Sequence, residues 1–236
     1  MAIHAANNTS QRRARRATDI RERLYRSALR LFAERGYFET KIEDITEAAD
    51  LGKGTFFNYF PSKEHVLSTF GDQRLAFFER ALDQVRTGEA GVEAALSDTI
   101  SRITTVDKDA AGLFRSIFAA HACSESVRAH YRERISRCHR IIATILTIGQ
   151  TQGEIRTDRA AADMARVMQQ TFIGLTMAWA INPEVRLIVL SREVWNAIWE
   201  SVCVRKTKDK RRGRKCTTSG LAAGNGRGRK RNVLQK

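Results

Sequence analysis

From Thr40 to Phe60 the chain switches twice between helical pattern and interruption, and few folds accommodate that in so short a run. Thr40 and Glu43 stand three apart as a capping box, the threonine hydroxyl taking an orphan N–H and the glutamate reaching back. Ile42, Ile45 and Ala49 follow at steps of three and four, which gives that helix one apolar face. Asp50-Leu51-Gly52 breaks the period. A second helix is expected from Lys53, with Phe56 and Phe60 on its inner side and Lys53, Phe57, Asn58 and Tyr59 on or near the outer one. Two buried rings beneath a flank of Lys, Thr, Asn and spare aromatics make a helix that is read from outside. Helix-turn-helix units have this layout, and their second helix enters the DNA major groove.

The same residues carry a resemblance. Gly52-Lys53-Gly54-Thr55-Phe56-Phe57-Asn58-Tyr59-Phe60-Pro61-Ser62-Lys63-Glu64, with Gly36-Tyr37 and Thr40 ahead of it, resembles the N-terminal domain of the tetracycline-repressor (TetR) family. The close match spans roughly residues 18–70, and beyond it only the helical pattern agrees. Asp50 stands where the family usually has a left-handed glycine, and Gly52 where it usually has a capping serine or threonine. Asp tolerates the left-handed turn better than most residues, and Gly is a passable cap.

With 236 residues the chain can bury a sizeable core. Two prolines, with many Ala, Leu, Ile and Arg, point to an all-α protein of about nine helices. The net charge of +15 is unevenly spread. Residues 1–18 hold Arg12, Arg13, Arg15 and Arg16 and no acid, and residues 205–236 hold 13 Lys and Arg against Asp209. The body between them holds 24 basic and 25 acidic residues, so the polycation belongs to the ends. Flexible basic ends supplement a DNA contact through counterion release. Four scattered cysteines without a Cys-x-x-Cys pair fit a reducing, cytoplasmic setting. The first residues lack the basic and apolar regions of a secretory leader, and no apolar run approaches the ~18 residues of a membrane span.

These patterns divide the chain into a disordered basic arm (1–17), a helix-turn-helix domain (18–78), a helical regulatory and dimerisation domain (79–204) and a disordered basic tail (205–236). The first helix is expected from Asp19 as cap to Gly36 as C-terminal glycine, with Tyr37 and Phe38 in the core behind it. A long helix follows Pro61-Ser62 to about Val85, with Gly71 inside it. Further helices are expected near 92–106, 113–121, 126–149, 159–181 and 184–204, with Asp158 capping the one at 159. The last is apolar on more than one stripe, which implies a second packing surface. The family resemblance implies that the last two helices form a four-helix bundle with those of a second subunit.

Sorted by chemistry, Thr40 at the start of the second helix and Lys63 with the N-terminus of the fourth are expected at phosphates, and Lys41, next to Thr40, is a further DNA-binding candidate. Gly54 permits close approach, Lys53 can donate to guanine, Thr55 can meet a thymine methyl, and Asn58 can meet an adenine or a phosphate. By resemblance, Phe57 and Tyr59 lie against sugar-phosphate and thymine methyls; Phe57 replaces the usual tyrosine and loses one hydroxyl contact. Phe77, Phe114, Phe118, His121, Tyr131, Phe172 and Trp179 are candidates to line a cavity for a small apolar or amphiphilic effector.

Catalytic readings find no support. His121, His130 and His139 are nine apart, which does not repeat on one helix face, and no nucleophile elbow or phosphate loop is present. No metal or cofactor is expected. Function is expected to be transcriptional regulation: a ligand-responsive repressor on a palindromic double-stranded DNA operator, binding as a homodimer. The rival reading is an architectural nucleic-acid binder driven by the basic ends, and a redox sensor using Cys123 or Cys138 is more distant.

Overall fold

The computed structural model describes residues 2–204, and among them every regular element is a helix. The order is α1 (Ala2–Arg35), α2 (Ile42–Ala48), α3 (Lys53–Phe57), α4 (Lys63–Thr87), α5 (Val92–Thr104), α6 (Ala110–Cys123), α7 (Glu125–Thr151), α8 (Ala161–Ile181) and α9 (Leu187–Val202). The expected tail at 205–236 lies outside the described residues.

Helix α1 corrects the expectation of a disordered arm. It begins at Ala2, well before Asp19, so Asp19 caps nothing. No Pro or Gly interrupts Ala2–Arg35, and alanine and arginine are both strong helix formers, so the backbone pattern continues without an apolar stripe to announce it. Gly36 ends the helix at φ 96°, a conformation that an L side chain resists.

Leu24, Ala28, Leu31 and Phe32 of α1 are buried against Ile45, Phe56, Phe60 and Val66, which makes the small N-terminal core. Arg23 and Ser27 of α1 donate to the carbonyls of Ala49 and Ala48, so α1 satisfies the last acceptors of the short helix α2. The α2–α3 turn places Asp50 at φ 52°. The first turn of α2 also differs from the expected capping box. Asp44 accepts from the backbone N–H of Lys41 at 2.8 Å, while Thr40 turns inward. Phe38 departs from its expected core position and is 51% exposed, its edge on buried Tyr37.

A second core joins α4, α5, α7, α8 and α9 through Leu82, Leu96, Ile142, Ile145, Met168 and Trp195. The segment after α7 enters it. Ile155 is fully buried and pairs with Cys203 in an isolated antiparallel bridge that clasps the end of α9. Asp158 is held by Arg156, and the N-cap of α8 is Ala160, so the expected cap is a surface ion pair instead.

The N-terminal helices meet the remainder chiefly through α1 on α6 and through α4 on α7. At the first junction the backbones nearly touch. A Cβ on Gly112 would lie 2.2 Å from the carbonyl oxygen of Ala33, and Ser116, one turn on, donates to the carbonyl of Phe32 at 2.5 Å. Gly112→Ala should therefore force α1 and α6 apart and destabilise the protein by about 1–3 kcal/mol, read by urea denaturation. Asp50→Gly should act oppositely. Relief of the left-handed penalty, less the added freedom of the unfolded chain, predicts a gain of about 1 kcal/mol in the same assay.

Candidate nucleic-acid interface and internal cavity

Helix α3 spans only Lys53–Phe57, and its orientation comes from the rings beneath it. Phe56 and Phe60 are essentially fully buried, 5.7 Å apart between centroids, with Phe60 just past the helix end. Burying each contributes about 1.5–3 kcal/mol, ample to seat one and a half turns. The opposite flank faces outward. Lys53, Gly54 and Asn58 are exposed, Phe57 is 48% exposed, and Thr55 and Tyr59 are half-buried. Tyr59 also packs against the N-terminal core, and a Cβ on Gly54 would meet nothing. The Lys53 ammonium is paired with exposed Glu43 of α2, and this contact holds the Glu43 carboxyl below its usual range. Lys41 is exposed at the start of α2.

Two residues expected at phosphates are committed elsewhere. Thr40 is wholly buried, and its hydroxyl donates to the carbonyls of Gly36 at 2.7 Å and Leu31 at 3.4 Å. It closes the turn after α1 and offers nothing to a duplex. The half-buried Lys63 ammonium donates to the carbonyls of Tyr37 at 2.9 Å and Thr40 at 2.6 Å, 4.7 Å from the Tyr37 ring centre. It fastens the start of α4 to the α1–α2 turn, and burial lowers its pKa.

Between α4, α5, α6, α7 and α8 lies a cavity of about 200 Å³ with a mostly apolar lining. Phe114, Phe118, His121, Tyr131 and Phe172 line it, as the sequence led one to expect. Phe77 and Trp179 do not. Phe78, the next residue on α4, takes the lining place, and Trp179 is buried with its indole N–H on the carbonyl of Val185. Cys138, inward by its spacing, also lines it, and sequence reasoning missed the rest of the polar wall: Arg74, Arg134, Gln169 and Thr176. No periodicity marks them, because charged and polar residues on a helix ordinarily face water.

Arg74 and Arg134 are the unusual members. Arg74 stacks on Phe70 and Phe114, with its guanidinium carbon 5.1 and 5.2 Å from their ring centres, and donates to the carbonyl of Ile103. Burial draws its pKa down to about 10, which leaves it charged at neutral pH. The Arg134 side chain is 16% exposed, and Asp72, at 3.9 Å, is its nearest acid among the described residues. Its guanidinium lies across Gly71, where a Cβ would come within 2.1 Å of the central carbon. His121 stacks on Tyr131 at 4.0 Å, and its buried Nδ1 has no partner among the described residues. Burial, then the charge of Arg134, press its pKa down to about 4, so the ring is neutral at pH 7. Burial raises the Cys138 thiol to about 11, which makes it a poor nucleophile.

Among the described residues no helix is long and apolar enough to cross a membrane, and no three His, Cys, Asp or Glu gather as a metal site would require.

The comparisons agree with this geometry. The profile of the family described as "Bacterial regulatory proteins, tetR family" matches residues 24–69. The HTH-type transcriptional repressor DhaR of Mycobacterium sp. (strain GP1) is 30% identical over 173 residues, which cover 70% of this chain and 84% of that protein. Among solved structures, Thermus thermophilus FadR in complex with lauroyl-CoA is 28% identical, with a TM-score of 0.57 over 80% of this chain and 97% of its own. Bacillus subtilis FadR in complex with stearoyl-CoA has a TM-score of 0.63 at 22% identity, over 75% of this chain and 96% of its own, and shares the fold. A helix-turn-helix seated on buried rings, a helical body and a relative matched over most of its length lead to one assignment: the chain belongs to the TetR family of DNA-binding transcriptional regulators.

Proposed function

We propose that the protein is a ligand-responsive repressor that binds a palindromic operator as a homodimer and releases it when the internal cavity fills. The observation that carries this reading is the placement of α4. Its first residue, Lys63, grips the α1–α2 turn, and its later residues Gly71 and Arg74 form part of the cavity wall. Eleven residues of continuous helix make a rod of about 16 Å between the two, so a ligand that moves the wall moves the mount of α3. To act, the ligand must bind the operator-incompetent arrangement more tightly than the competent one. The repressor name of the Mycobacterium relative and the acyl-CoA in the Thermus structure support the same reading.

In this reading Lys53, Thr55 and Asn58 meet base edges, Lys41 meets phosphate, and Gly54 lets Phe57 and Tyr59 come close to the backbone. The operator is double-stranded DNA, and the protein works in the cytoplasm where that DNA lies. A single helix-turn-helix reads too few bases for genomic specificity, so two subunits with α3 helices roughly 34–36 Å apart, or a multiple of that, are required. The outer faces of α8 and α9 support a subunit interface. Val167, Met177 and Ile181 on α8, then Val185 and Val189, are all more than 40% exposed. Large apolar side chains left exposed on two packed helices fit a face that a second subunit covers.

Lys53→Ala should weaken binding to an operator chosen from random DNA by roughly 5- to 150-fold, the value of one good base contact, and relax selectivity at one position. Glu43→Gln, which frees Lys53 and removes a negative charge facing the duplex, should tighten it. Mobility shifts measure both, and unchanged affinity and selectivity in Lys53→Ala would remove that residue from base reading. Ile181→Glu should produce monomers in sedimentation analysis together with loss of operator binding, while the helical circular dichroism persists.

A further inference from the structure

The polar wall of the cavity narrows the chemical class of molecule that the cavity takes, given its reading as the effector site. Arg74, Arg134 and His121 line one space, and among the described residues no Asp or Glu lines it with them. Arg134 carries five N–H donors, yet among the described residues it makes only a loose approach to Asp72, itself largely exposed. A mostly buried guanidinium without good acceptors is costly, because its lost hydration is not replaced. His121 sits in the same condition, with Nδ1 buried and unpartnered. The Tyr131 ring joins the two groups: His121 stacks on it, and the Arg134 guanidinium carbon stands 5.8 Å from its centre. Arg74 adds a second positive charge one helical turn from Gly71, against which Arg134 rests.

We propose that the effector is a compact anionic amphiphile, whose carboxylate or equivalent anionic head is received by Arg134, Arg74 and Nδ1 of His121 while its apolar body lies among Phe78, Ile100 and Phe172. The head supplies acceptors that the wall lacks. A planar guanidinium matches a carboxylate through two parallel N–H donors, and a neutral imidazole can turn N–H toward the same group. A cationic ligand would meet two like charges in a site of low polarity. A neutral one would leave Arg134 as poorly satisfied as before. The volume of about 200 Å³ sits below the ~300–1,000 Å³ of ordinary drug-sized pockets, which favours a short chain or a single ring over a bulky molecule.

Matched probes test this: octanoate, octanol and octylammonium, titrated calorimetrically into the full chain at pH 7. Octanoate should bind at least tenfold more tightly than octanol, and octylammonium most weakly. Arg134→Gln should remove the octanoate advantage and leave octanol affinity within about twofold. Gly71→Ala keeps both charges but pushes the guanidinium off its seat, and should lose part of the advantage. Octanol binding as tightly as octanoate overturns the anionic assignment and leaves the effector reading standing. Failure of all three to bind overturns both. The comparison of probes on the unaltered chain decides the matter even if a variant does not fold.

Discussion

A helix of five residues has no stability of its own, since nucleation costs more than one turn of hydrogen bonds returns. The outward flank of α3 therefore holds its shape only because Phe56 and Phe60 are driven into the N-terminal core. Everything around them serves that insertion. Arg23 and Ser27 close the open end of α2, Thr40 ties off the turn behind it, and Lys63 ties the following helix to the same turn. The outer flank is free to be polar because the inner flank supplies the binding energy.

Two mechanical links join this unit to the helical body, and they differ in character. The α1–α6 contact is backbone against backbone at Ala33 and Gly112, with little room for adjustment. The α4 link is a rod that crosses from the Lys63 clamp into the cavity wall, and there its neighbour is the end of a flexible side chain, Arg134. A tight pivot beside a compliant lever lets a small change in the cavity become a tilt. Packed cores shift between discrete arrangements more readily than they deform smoothly.

Much of the fold was legible from spacing. The period of Ile42, Ile45 and Ala49, the pair Phe56 and Phe60, and the glycine after Arg35 placed the helix-turn-helix, because burial and left-handed backbone leave marks in sequence. Five of the seven proposed cavity residues also line the cavity. Most of the misses share a cause: they were settled by contacts that local spacing does not show. Thr40 has the residue type of a cap, but a three-residue spacing cannot reveal that Gly36 and Leu31 offer it acceptors inside. Lys63 looks like a phosphate ligand until the carbonyls of Tyr37 and Thr40 are in place. Arg74 and Arg134 read as solvent-facing, and only tertiary packing turns them inward. The early start of α1 was hidden because a polar helix has no apolar stripe to betray it.

Lys63 and Lys53 sit close in sequence, yet added electrolyte treats them differently. Lys53 meets Glu43 in open water, where mobile ions weaken attraction over a Debye length of about 10 Å at 0.1 M salt. Lys63 is half-buried and holds carbonyl dipoles at hydrogen-bond range, so the ionic atmosphere scarcely reaches it. Rising salt thus loosens the exposed flank proposed to meet the duplex while the bracket beneath it keeps its shape. Binding can fade across a range of ionic strength in which the N-terminal unit remains folded.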